Sequence, residues 1–114
     1  MTAKVLAPAD RDRLQRLVKL RRQQAERTFQ EAKVSFDAVE LRIAELRRSI
    51  DKLQSSDSGF SAEDLDHQAA HLEWLLKQAQ KAETDRVQLK QHYDAARTAL
   101  AKAMLALEQL AEPS

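Results

Sequence analysis

The chain has 114 residues, with 32% charged and only 4% aromatic side chains, one glycine, two prolines and no cysteine. Such a length supports one domain, and the composition suits long helices while leaving little from which to build a sheet, a set of catalytic loops or a disulfide framework. The formal net charge of +1 hides an asymmetry: residues 1–54 carry 13 Lys or Arg against 8 Asp or Glu, a net of +5, and residues 55–114 carry 6 against 10, a net of −4.

In chain order, Met1 to Ala7 contain no apolar core of signal-peptide length. Pro8 suits the first turn of a helix, where its missing N–H costs nothing, and Asp10 and Asp12 favour the positive end of the helix dipole. A first helix is predicted over about 8–54. Ser55-Ser56-Asp57-Ser58-Gly59 is the one cluster of turn formers, so a turn is predicted over about 55–61. Ser61 reads as an N-cap with Asp64 in the place of the capping-box Glu, and Phe60 and Leu65 occupy the hydrophobic-staple positions. A second helix follows over about 62–111, stopped by Pro113. No run reaches transmembrane length. With no cysteine present, the expectation is a soluble, cytoplasmic protein without membrane insertion.

Within the first helix apolar or small residues fall at Ala25, Phe29, Ala32, Phe36, Val39, Ile43, Leu46, Ile50 and Leu53, in steps that alternate between four and three. The second helix repeats the rhythm at Leu65, Leu72, Leu75, Ala79, Ala82, Leu89, Tyr93, Ala96, Leu100, Ala103, Leu107 and Leu110. This is the 3.5-residue repeat of a coiled-coil seam. Folding at the turn sets Leu53 beside Leu65, Leu46 beside Leu72, Ile43 beside Leu75, Phe36 beside Ala82 and Phe29 beside Leu89. The fold class is therefore all-α, a long two-helix antiparallel coiled-coil hairpin forming a single unit over 1–114. Glu26 with Lys90 and Lys33 with Glu83 are the charge pairs that this register offers. Arg11, Gln15, Arg22, Gln68 and Arg86 interrupt the seam; they either lay their stems along it, or fix its register, or leave a loosened zone that a partner completes.

Apolar residues off the seam form three groups. Leu14, Leu17 and Leu20 broaden the apolar surface near the N-terminus, and Met104 and Leu105 do so at the facing end of the second helix. Val34, Ala38 and Leu41 make an outer stripe at i, i+4, i+7 spacing. Trp74 sits at an outward position with Leu76 on its flank. Grouped in this way, they read as contact surface for self-association or for another protein. Arg11, Arg13, Arg16, Lys19, Arg21, Arg22 and Arg27 crowd the start of the first helix. Nucleic acid is disfavoured as their target, because acidic residues interrupt the run and no stacking aromatics interleave it.

For catalysis the sequence offers no glycine-rich phosphate loop. His67 and His71 stand at i, i+4 with Asp64 one turn earlier, a spacing that could hold zinc, but the catalytic glutamate of an HExxH motif is missing, and exposed polar helix positions are the favoured reading. No enzyme activity and no cofactor are expected.

The segment Leu14-Gln15-Arg16-Leu17-Val18-Lys19-Leu20-Arg21-Arg22, followed by Ala25-Glu26 and a long Ala-, Glu- and Arg-rich heptad run, resembles the opening of the FliJ/YscO family. The resemblance implies a stalk-like component of a bacterial type III export system, flagellar or virulence-associated, that contacts an export ATPase ring and the membrane export gate and handles export chaperones. It assigns no binding residue. Those proposed from helix position are Leu14, Arg16, Leu17, Leu20, Arg21, Val34, Ala38, Leu41, Trp74, Leu76, Met104 and Leu105. The other readings are a homodimeric structural or adaptor bundle, and a basic coiled coil on nucleic acid.

Overall fold

The structure, a computed structural model, describes residues 7–55 and 61–111. Phe60, Gly59 and Pro113, to which a staple, a turn and a stop were assigned above, lie outside the described residues. The fold is an all-α helical hairpin of two helices, α1 (Pro8–Gln54, 47 residues) and α2 (Ala62–Ala111, 50 residues), with no strand among the described residues.

The ends of both helices follow from local chemistry. The Arg11 amide donates to the Ala7 carbonyl at 3.0 Å, which puts Pro8 in the first turn. Lys52 lies in the last turn of α1, at the negative end of its dipole. There the Ser55 amide donates to the Asp51 carbonyl at 2.9 Å and the Ser55 hydroxyl to that of Lys52 at 3.2 Å. At the start of α2 the expected capping box is present. The Asp64 amide donates to Ser61 Oγ at 3.2 Å, while the Ser61 hydroxyl and amide donate to Asp64 Oδ2 at 2.9 and 3.4 Å.

Packing divides the chain into two compact units, each built from a piece of both helices: Met1–Lys33 with His92–Ser114, and Val34–Gln91. In the Val34–Gln91 unit the core is Val39, Ile43, Leu46, Leu75 and Ala82, with Phe36, Ile50, Leu53, Ala79 and Leu89 packed against it. Every one of these lies on the alternating three-and-four repeat, as knobs-into-holes packing requires. Late α1 residues meet early α2 residues, so the helices of this unit run antiparallel: Gln68 Nε2 donates to the Leu53 carbonyl at 2.9 Å and Arg42 Nη2 to Gln78 Oε1 at 3.0 Å. In the other unit Ala96 is buried, and the Phe29 and Tyr93 rings pack at 5.4 Å between centroids with a 37° tilt.

The contacts run one helical turn further along α2 than the sequence pairing. Leu53 meets Gln68 rather than Leu65, Phe36 meets Arg86, whose guanidinium carbon is 5.8 Å from the ring centroid, and Phe29 meets Tyr93. Leu65, expected in the seam, is 53% exposed, while Gln68 is half-buried. The shifted register gives the polar seam positions partners. Gln68 satisfies a carbonyl in the last turn of α1, which has no partner inside its own helix. Arg86 gains a ring face and an ion pair with Glu40 at 3.4 Å. The expected cross-helix charge pairs also change: Glu26 accepts from Arg22 of its own helix at 3.0 Å, and Glu83 accepts from Arg47 at 2.9 Å.

Removing the Gln68 hydrogen bond by Gln68→Ala should cost about 1 kcal/mol, and Ile43→Ala about 2–5 kcal/mol. Ala82 is only 2% exposed, so Ala82→Leu should overpack the seam and cost about 1–3 kcal/mol. Urea unfolding followed by helical circular dichroism checks all three. Full tolerance of Ala82→Leu would refute this packing.

Candidate protein-interaction surfaces

A two-helix seam wets the remaining faces, and each residue singled out from the sequence as contact surface is exposed. In the Met1–Lys33 and His92–Ser114 unit, Leu14, Leu17 and Leu20 are exposed, the last two at 51% and 54%, and so are Arg16 and Arg21 beside them. Met104 and Leu105 are exposed on the α2 segment of the same unit. At 100° per residue Leu17 and Leu20 lie on the outward side of α1, interleaved with exposed Arg13, Arg16 and Arg27. The result is a mixed leucine and arginine face rather than separate apolar and basic ones. Arg22, by contrast, is half-buried on the seam and engaged by Glu26 at 3.0 Å.

This unit also holds a shallow groove of about 380 Å³ that the sequence reading did not anticipate. Val18, Ala25, Ala99, Ala103 and Ala106 form its apolar surface, and Arg21 and Lys102 its charged rim. The cause is local composition: with alanines on α2 the helices leave a hollow that larger side chains would fill. Its signal in the sequence is the run Ala96, Ala99, Ala103, Ala106 at helical spacing.

The Val34–Gln91 unit presents Val34, Ala38 and Leu41 as an exposed stripe on α1, and Trp74 and Leu76 exposed on α2. Trp74 stands 54% exposed with the His71 ring 6.3 Å from its own, centroid to centroid. Val87, 57% exposed on α2, belongs with the surface apolar residues and was missed, because a lone valine off the seam has no partner at helical spacing. A second hollow, of about 250 Å³, lies where Leu53, Leu65, Gln68 and Leu72 approach the turn.

As for metal, the Asp64 carboxylate is engaged in the cap of α2 and the His71 ring lies near Trp74. No group of three metal-ligating side chains forms among the described residues. No described helix is long and apolar enough to cross a membrane. Comparison with family models, with curated proteins and with solved structures finds no match for this chain.

Adjacent positions make the exposure testable. Trp74→Ala and Leu76→Ala should shift folding stability by less than about 0.5 kcal/mol, whereas Leu75→Ala between them, from a side chain only 4% exposed, should cost about 2–5 kcal/mol. Equal losses at all three positions in urea titrations would show that Trp74 and Leu76 are structural.

Proposed function

We propose that this chain is a non-enzymatic protein-interaction coiled coil, a stalk-like accessory or chaperone-handling component of a bacterial flagellar or type III secretion export ATPase. The observation that carries the reading is the outward leucine and arginine face at the start of α1, where Leu17 and Leu20 are exposed among Arg13, Arg16 and Arg27, with Leu14 and Arg21 on its flank. Ordinary exposed apolar residues are scattered singly, whereas grouped ones beside arginine have the composition of an interface core. The same residues carry the FliJ/YscO resemblance, which supplies the export ATPase ring and the export gate as partners and the periphery of a membrane export apparatus as location.

The remaining exposed groups support the same class of activity. Val34, Ala38 and Leu41 offer a stripe for a second partner helix, and Trp74 with Leu76 offers an aromatic anchor. A homodimeric or adaptor bundle is the second reading, favoured by that α1 stripe, which another copy could cover.

Capture of the export ATPase by the full chain is the test. Replacing Leu14, Leu17 and Leu20 together by Ser should reduce capture at least about tenfold while leaving the circular dichroism spectrum unchanged, since exposed positions contribute little to folding. Undiminished capture by the helical variant would sink this assignment.

A further inference from the structure

The rim of the groove specifies what would fill it. Its apolar floor is made mainly of alanines, so the backbone of a third helix could approach closely, within the usual range of helix–helix distances. Arg21 and Lys102 flank that floor, and neither forms an ion pair among the described residues. A fitting helix therefore carries a narrow stripe of small and medium apolar residues with carboxylates along its edge.

This chain contains such a helix. The first half of α2 exposes Ala62, Leu65, Ala69 and Leu76, at steps of three, four and seven that keep them on one side of the helix. Asp66 and Glu73 are exposed beside them. Asp66 has no ion pair among the described residues, and Glu73 has only an exposed i, i+4 contact with Lys77 at 3.3 Å, a class of pair worth little and readily exchanged. We propose that the alanine-floored groove of one copy receives this acidic, apolar flank of α2 from a second copy. Each molecule carries both this groove and this flank, so the contact is heterologous, and either two such contacts close a dimer or the series continues. The unit that holds the groove, residues 1–33 with 92–114, carries 11 Lys or Arg against 7 Asp or Glu, a net of +4, and the unit that holds the flank, residues 34–91, carries 8 against 11, a net of −3, so unlike units of two copies attract at long range.

The inference is independent of the export-ATPase reading, because its readout contains this chain alone. Sedimentation equilibrium of the full chain should give reversible self-association with Kd in the micromolar range, weakened about tenfold or more as salt rises from about 0.05 to about 0.5 M. Arg21→Glu with Lys102→Glu, and separately Asp66→Lys with Glu73→Lys, should each leave the chain monomeric. The two variants mixed in equal amounts should associate again, because every groove then meets a flank of opposite charge. Ala99→Trp, at an exposed helix position, fills the groove without altering charge and should also abolish association, with helicity monitored by circular dichroism. A wild-type chain that stays monomeric would overturn the proposal. So would self-association that ignores Ala99→Trp and both charge reversals, or reversed variants that fail to associate when mixed.

Discussion

Burial among the described residues is confined to one stripe on each helix, and every other property follows from that restriction. Among the described residues only Val39, Ile43, Leu46, Leu75, Ala82 and Ala96 are buried, and no large side chain is fully enclosed. A helix is stabilised in a protein mainly by packing its apolar stripe, since propensity alone leaves isolated helices marginal. Here that stripe must support 47 residues in α1 and 50 in α2. The composition of each seam layer therefore matters more than in a globular domain, where a residue shares its environment with several elements.

A repeating seam supplies cohesion but discriminates poorly between alignments. Sliding one helix by a turn replaces apolar layers with other apolar layers, at little change in buried area. What distinguishes the two alignments is the fate of the irregular positions. With Gln68 on the Leu53 carbonyl, Arg86 across the Phe36 ring and Phe29 against Tyr93, two polar side chains are satisfied and an aromatic pair forms. Each interaction is worth roughly 0.5–1.5 kcal/mol, small against a whole seam but decisive between near-degenerate registers. These polar interruptions are thus part of the specification of the fold, the role that a buried polar residue plays in other coiled coils.

This difference in scale also explains what was legible in the sequence. Helix type, the Ser61 and Asp64 cap and the identity of the seam residues depend on patterns within a few turns, and those patterns are strong. Register depends on which Gln or Arg finds which partner across the seam, and a heptad template treats such residues as faults. Leu65 was misplaced for that reason: it continues the repeat, yet in the observed register Gln68 takes the place opposite Leu53 and leaves Leu65 exposed. The exposed groups at Leu17, Leu20, Val34, Leu41 and Trp74 were legible because being off the seam is enough to expose a residue in a two-helix structure. The groove was not, because a hollow depends on missing side-chain volume at several positions of two helices together, and only the register shows which alanines meet.

The chemistry of the exposed surface narrows the kind of partner it suits. A phosphate backbone would engage Arg13, Arg16 and Arg27 but leave Leu17 and Leu20, each about half-exposed, without an apolar counterpart. A protein surface that combines carboxylates with an apolar patch satisfies both sets at once, and desolvating the leucines would strengthen the arginine–carboxylate contacts around them. The interleaving of the two residue types at successive helix positions is what makes this difference, since a segregated basic stripe would have suited either partner equally. On the proposed reading, this face of α1, which its own seam leaves uncovered, would recognise a mixed acidic and apolar surface.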